Sequence, residues 1–237
     1  TRPDERFGNV IEVVSDGESR QHQLQTNLTM NPGALLPAFN ARRIDPKRIT
    51  MFVNYTFTDL QNNTDGPFAT PATGTLDREW GTPAQDIPHR FNVTLNNQIV
   101  RNLLMSLNVN VASGAAYTIR TGFDENGDLI YNDRPVGVLR GTERMATQWT
   151  LNPAMAYTFT FGQQTRLPPG VAVIAGGVQS FDQNSQRFRV QLFIQAQNVT
   201  NRANYVGYSG VMTSGFFGQP TSVLSTPKVD MGLQFSF

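Results

Sequence analysis

The side chains best suited to chemistry lie in one short stretch, Asp124-Glu125-Asn126-Gly127-Asp128. Asp124, Asn126 and Asp128 stand two residues apart, with Asn132 and Asp133 behind them. Oxygen ligands at this spacing begin a calcium loop, because a hard divalent cation collects carboxylate and amide oxygens. The stretch departs from the helix–loop–helix calcium pattern in two ways. Gly127 stands two places early, and Pro135 holds the twelfth position, where that pattern needs a bidentate Glu. The other reading is an Asn-Gly turn at the tip of a hairpin loop. Calcium is the one cofactor the sequence raises, and no other metal or cofactor set emerges.

His89 is the second candidate, with Arg90 beside it and Asp86 and Asp77 upstream. A His–Asp pair needs a nucleophile to act on, and no Gly-x-Ser-x-Gly turn is present. His89 therefore reads as structural, and His22 is assigned no role. The chain has no cysteine, which excludes disulfides, thiolate catalysis and Cys-ligated zinc. No enzyme is expected. A net charge of +1 gives no electrostatic case for nucleic acid. Asn27, Asn54, Asn92 and Asn198 each open an Asn-x-Thr sequon, read here as chance matches to the composition.

Strands must position these residues. Val229, Met231, Leu233, Phe235 and Phe237 alternate with Lys228, Asp230, Gly232, Gln234 and Ser236. A strand sends successive side chains to opposite faces, so one face is apolar and the other polar. The same alternation predicts strands over 21–30, 49–58, 90–96, 103–112, 148–161 and 187–197. A further strand is expected at Asn9–Val14, turning into the next through Ser15-Asp16-Gly17. The total is about eight antiparallel strands. Pro153 points to an edge position or a bulge.

The polar faces are rich in Gln, Asn, Thr and Arg. Arg90, Arg187 and Arg189 share that side and are candidates to face a lumen, lining an anion path or pairing with carboxylates. Tyr55, Phe57, Trp149, Tyr157, Phe159, Phe161, Phe235 and Phe237 lie near strand ends, as in the aromatic girdles of a transmembrane β-barrel. Such a barrel looks hydrophilic on average because only alternate residues meet lipid, and here mean hydropathy is -0.32. A soluble β-sandwich with an aromatic core is the alternative. Long connections at 59–89, 115–146 and 198–227 fall at one end, and the links at 31–48 and 97–102 at the other. The stretch 162–185 is unusually long for that second end, with Val171–Ile174 as possible extra strand.

Several stretches resemble Oar-like TonB-dependent outer-membrane receptors, in the same order along the chain. Residues 121–135, Thr-Gly-Phe-Asp-Glu-Asn-Gly-Asp-Leu-Ile-Tyr-Asn-Asp-Arg-Pro, resemble their extracellular "TG-D-NGD…NDRP" stretch. Ser15–Arg20 resembles their "SSGRSR" turn and Asn54–Thr58 their "YTYS" strand. Arg78–Gly81 with Asp86–Arg90 resembles "WG…D-RHR", although Pro88 is inserted there. Asn198–Asn201 resembles "NLLN", and Gly215–Pro220 with the Phe-Ser-Phe end completes the series.

The resemblance implies an outer-membrane location and the C-terminal part of a barrel of about 22 strands. No plug or TonB-box segment is among these residues, so the TonB system would engage parts outside this chain. The opening Thr1-Arg2-Pro3 has no initiator Met, and the sequence reads as a fragment or a processed chain. The expected partners are membrane lipid, an unknown extracellular ligand and the barrel-assembly machinery. The last would take Val229, Met231, Leu233, Phe235 and Phe237 as its signal, since a terminal edge strand can add to another sheet. The expected function is substrate passage or surface ligand binding. A surface adhesion or structural protein is the alternative, and a soluble β-sandwich binding module is a second.

Overall fold

A computed structural model of the chain describes residues 12–35, 48–66, 68–98, 100, 102–166, 171–174, 177–180, 184–224 and 226–236. Only the backbone is described at 34–35 and at the described positions from 163 to 187. The strands in chain order are β1 (Ser19–Met30), β2 (Ile49–Asn62), β3 (His89–Asn97), β4 (Leu103–Ala112), β5 (Ala116–Tyr117), β6 (Glu143–Arg144) and β7 (Gln148–Arg166). They continue with β8 (Val171–Ile174), β9 (Gly177–Ser180), β10 (Asn184–Gln197), β11 (Asn204–Tyr208), β12 (Pro220–Leu224) and β13 (Lys228–Ser236). Short 3-10 turns occur at Pro32–Leu35 and Leu76–Arg78. Among the described residues no helix is long and apolar enough to cross a membrane.

The chain is all-β and antiparallel. One seven-stranded sheet runs β1-β2-β3-β4-β7-β10-β13, so each long strand pairs with the next along the chain. Its register brings the alternating patterns into line. Leu28, Val53, Val93, Val109 and Leu151 form one row across five strands. Asn27, Asn54, Asn92, Asn110 and Thr150 form the neighbouring row on the other face. A slip of one residue in any strand would send its apolar set to the polar face, so the pattern itself fixes the pairing.

None of the long-strand residues whose side chains are described is buried. Leu24 is 60% exposed and Met231 73%. Among the described residues no second layer covers either face of the sheet. Apart from Gly33, the buried residues lie instead in the connections at one end, and most are polar: Asn63, Glu79, Asp86, Thr121, Asp133, Arg140, Asn198 and Asn204.

Some expectations need correction. Residues 12–18 form no strand, so the hairpin around Ser15-Asp16-Gly17 is not made; Asn9–Ile11 lie outside the described residues. Asn63 holds this stretch instead: its Oδ1 accepts the Glu18 N–H at 2.7 Å, and its Nδ2 donates to the Asp16 carbonyl at 3.1 Å. Pro153 stands in an interior strand and pairs with Leu107 of β4. On its other side the pairing with β10 stops at Ala154, the residue next to this proline, which has no N–H to carry the ladder on. Val171–Ile174 is a strand, but it pairs with β9 in a separate hairpin.

The placement of the connections follows the sequence reading. Residues 63–88, 113–147 and 198–227 share one end of the sheet, which we call the loop end. The links after β1, β3 and β7 share the other.

Candidate functional site

Two regions hold the residues that could act on a partner: the cap at the loop end and the polar face of the sheet. The cap forms because the three long connections bond to one another. The first supplies Glu79, held by a fork of hydrogen bonds from the second: Arg134 Nη1 donates to Oε2 at 2.6 Å and Nη2 to Oε1 at 3.1 Å. These side chains are 7% and 4% exposed, so the pair is desolvated on both sides. Thr73 adds its backbone N–H at 3.0 Å and its hydroxyl at 2.8 Å to Oε1. Burial raises the Glu79 pKa, but the hydrogen bonds from Arg134 and Thr73 and the Arg134 charge outweigh it. The carboxyl is held below its ordinary value of 4.5.

Asp86 is the second anchor. Its Oδ1 accepts the Leu60 N–H of β2 at 3.0 Å, and its Oδ2 accepts Arg144 Nη2 at 2.6 Å. Arg140, 5% exposed, donates to the Asn62 carbonyl at 2.8 Å and also to the Asn62 side-chain oxygen. Asp65 stands 3.5 Å from its Nη1. Burial lowers the Arg140 pKa, against the raising charges of Asp65 and Glu79.

Backbone contacts make the cap tight. At Gly141 φ is +65°, and an added Cβ would lie 1.8 Å from the Thr82 carbonyl oxygen. Only glycine suits a left-handed residue with a neighbouring backbone that close. Between the second and third connections, a Cβ on Gly210 would meet the Thr118 carbonyl at 1.9 Å. There Arg120 donates its N–H to the Gly210 carbonyl at 2.8 Å, and Met212 donates to the Arg120 carbonyl at 2.9 Å.

The predicted calcium residues gather within this cap. Asp124 accepts backbone N–H groups from Gly127 at 2.8 Å, Asp128 at 3.1 Å and Leu129 at 2.9 Å. Asp133 accepts those of Glu125 at 2.6 Å and Asn126 at 3.3 Å. Asn126 Nδ2 lies 3.2 Å from Asp128 Oδ2 and 3.1 Å from Asp133 Oδ1. Asn132 departs from the group and donates to the Thr70 carbonyl at 2.8 Å. The carboxylates thus organise the turn through its own amides, which is Asx-turn chemistry.

On the polar face, a network of amides and hydroxyls crosses the strands. Asn54 donates to Asn27, Asn92 to Asn110, and Asn110 to Asn108. Asn108 donates to Thr94 Oγ1 at 2.9 Å, and Asn152 to Thr150 Oγ1 at 3.3 Å. Two buried asparagines extend it beyond the end of β10. The Asn198 N–H donates to Asn152 Oδ1 at 2.8 Å, and Asn204 takes the Trp149 N–H at 2.9 Å and returns a bond to its carbonyl at 3.0 Å. A shallow open recess of about 230 Å³ lies there, bounded by Asn110, Trp149, Asn204 and Leu224.

The network was missed in sequence because four of its members, Asn27, Asn54, Asn92 and Asn198, read as sequons. Asn-x-Thr in a strand puts both side chains on one face, and that recurrence was the available signal. The buried Glu79–Arg134 and Asp86–Arg144 pairs were also missed, since their partners lie 55 and 58 residues apart.

The arginine candidates do not converge. Arg90 lies on the polar face at the loop end of β3. Arg189 lies on the polar face near the other end of β10, opposite Thr160 and Ser236. Arg187 falls at the register shift between Gln186 and Phe188, and its side chain is outside the described residues.

On the opposite face, Val229, Met231, Leu233 and Phe235 lie together along β13, paired with Ala196, Ile194, Leu192 and Val190. Phe237 lies outside the described residues. His89 also faces this side, with Tyr55 Oη 2.9 Å from Nδ1 and the Phe57 ring 5.5 Å away. No protein-family model matches the chain, and neither a curated protein nor a solved structure matches it.

Proposed function

We propose that the chain forms part of the wall of a transmembrane β-barrel in an outer membrane. Its apolar face meets lipid, its amide-lined face meets a hydrated lumen, and its cap stands outside. The observation that carries this reading is the uncovered apolar face, which crosses all seven strands and, among the described residues, is free of Lys, Arg, Asp and Glu from Trp149 to the stacked Phe161, Phe188 and Phe235. Those phenylalanine rings stack at 5.5 and 6.2 Å across β7, β10 and β13. At the loop end, Tyr55, Phe57, His89 and Trp149 make the opposing belt, with the Arg202 guanidinium 5.5 Å over the Trp149 ring. From Trp149 to Phe161 the strand rises about 41 Å, which at a tilt of roughly 40° spans about 31 Å, close to the thickness of a bilayer's hydrocarbon core.

The role follows the resemblance to Oar-like TonB-dependent receptors: passage of a substrate or binding of a ligand at the surface. Coupling to TonB would act through parts of the protein other than these residues. The β13 strand with its apolar row serves as the handle for barrel assembly. The adhesion reading draws support from the bonded cap, which carries exposed Phe68, Phe123, Tyr131 and Phe216. Calcium in the 124–133 loop belongs to the same proposal on the spacing of Asp124, Asn126 and Asp128 alone, since among the described residues no group of three or more acidic or histidine side chains is placed to hold a metal ion. Calcium addition should then raise resistance to proteolysis in that loop, and a chelator should reverse it. No change in either direction would remove calcium from the account.

The native tryptophans test the membrane reading. Trp80 belongs to the cap and Trp149 to the apolar belt. In a Trp80→Phe variant reconstituted in vesicles, lipids brominated near the headgroup should quench the remaining fluorescence strongly. Quenching by aqueous iodide alone would overturn the reading.

A further inference from the structure

A period of two fixes which face a side chain takes, but not where along its neighbour a strand comes to rest. A slip of two residues leaves every apolar residue on the apolar face. The last strand is open to such a slip. In β13, Val229, Met231, Leu233 and Phe235 oppose Ala196, Ile194, Leu192 and Val190. Moved by two in one direction, Met231 would face Leu192 and Phe235 would face Phe188; moved in the other, Phe235 would face Leu192. Apolar stays on apolar in both cases, and the antiparallel ladder repeats every two residues, so it is satisfied as well. The connection at 198–227 is too long to set the register through a tight turn.

We infer that Phe193 of β10 and Gly232 of β13 form a lock that selects one register for the last strand. The two are direct partners. Phe193 breaks the alternation of β10, standing between Gln191 and Gln195 on the polar face. Its ring leans across to the neighbouring strand. A Cβ added to Gly232 would lie 2.6 Å from the ring's Cζ and 2.8 Å from its Cε1. The far end of the ring thus fills the space where a side chain would stand. A glycine inside a strand weakens it, and an aromatic ring packed over the gap restores contact.

Gly232 is the one glycine in β13. In either slipped register the ring would meet Asp230 or Gln234, each with a side chain in the way. It would have to swing off the strand. At Asp230 it would also crowd a carboxylate that stands 2.9 Å from Lys228 Nζ. The notch therefore accepts the ring in one register alone. In earlier strands amide bonds do the same work: Asn54 to Asn27 and Asn92 to Asn110 each join direct partners.

The register bears on assembly. A slip of two residues would move the apolar row of β13 about 7 Å along its neighbour, and any strand pairing with its free edge would meet it displaced. That consequence rests on the reading of β13 as the assembly handle. The lock itself rests on the pairing of β10 with β13, and holds whether or not the apolar face meets lipid.

The chain has no cysteine, so disulfides report its register cleanly. Leu192→Cys is combined in turn with Met231→Cys, Leu233→Cys and Phe235→Cys, in the whole protein within the cells that make it. Direct partners stand about 5 Å apart, within disulfide reach, and diagonal ones about 7–8 Å, beyond it. The Leu233→Cys combination should form the bond and the other two should stay reduced. Joining Gly232→Gln to Gln234→Gly moves the notch by two positions. The disulfide should then move to the Phe235→Cys combination, and an unmoved disulfide overturns the inference. Where that exchange prevents assembly, Phe193→Ala decides, because it removes the ring and fills no space. The Met231→Cys and Phe235→Cys combinations should then bond alongside Leu233→Cys, whereas Phe193→Tyr, which keeps the ring, should leave the single bond. A single bond at Leu233→Cys in the Phe193→Ala protein overturns the lock. Tryptophan quenching by lipid is a separate readout, so a failed membrane reading and a failed lock are told apart.

Discussion

The sheet and the cap solve opposite problems. The cap buries polar side chains and satisfies them: Glu79 with Arg134 and Thr73, Asp86 with Arg144 and the Leu60 amide. Among the described residues the sheet buries nothing on either face, yet its apolar side runs from β1 to β13. Hydrophobic burial drives most folding in water, so an uncovered apolar sheet must obtain that driving force from its surroundings. The cap obtains its order from internal hydrogen bonds and ion pairs. On the membrane reading proposed above, the same chain carries one region built for an apolar solvent and one built for water.

The largest expected effect lies in the cap. Removing one partner of a desolvated ion pair leaves the other charge uncompensated, at a cost of about 3–5 kcal/mol. Glu79→Ala or Arg134→Ala should open the 122–139 region to protease while the strand signal in far-UV circular dichroism stays. Equal loss of both signals would show that cap and sheet are one cooperative unit.

Charge on the sheet should then separate its faces. Leu107 and Asn108 are neighbours in β4 on opposite sides. Leu107→Arg should cost about 2–4 kcal/mol in a lipid-embedded protein, against near neutrality for Asn108→Arg. Denaturant titration in vesicles gives both values, and equal costs would remove the distinction between the faces.

Gly141→Ala is expected to cost about 1–3 kcal/mol, since the new methyl meets the Thr82 carbonyl and the left-handed backbone disfavours it. The loss should appear in the cap alone, read again by proteolysis.

The smallest effect is that of pH. The folded Glu79 pKa lies below its ordinary value of 4.5, so its contribution is complete above that value and fades as pH falls through the lowered one. Cap protection should therefore decline in acid below 4.5 while the sheet remains. Glu79→Gln should weaken the cap at neutral pH and flatten this decline.

Much of the sheet was legible in sequence because a period of two is local. The faces of β2, β3, β4, β7, β10 and β13 follow directly from alternate residues such as Val93, Leu95, Val109 and Leu151. The ends of strands were less legible. Glu12–Glu18 has β-rich composition nearby, but Asn63 captures its backbone at Asp16 and Glu18 and no strand forms. Pro153 suggested an edge, whereas the strand is interior and the interruption is confined to its pairing with β10, which stops at Ala154. The cap was opaque for a different reason. Its key pairs join residues far apart in sequence, and no spacing rule connects Glu79 to Arg134. The asparagine row was visible only as Asn-x-Thr repeats, whose common origin is the strand face they share.

The central claim is that one face of the sheet meets lipid and the other meets water. A single-cysteine fluorophore scan of Leu103–Ala112 in β4, within vesicles, tests it most directly. The account predicts a period of two: Leu103, Met105, Leu107, Val109 and Val111 quenched by a lipid-borne quencher, and Leu104, Ser106, Asn108, Asn110 and Ala112 by an aqueous one. Aqueous quenching at every position, or alternation in the opposite phase, would contradict it.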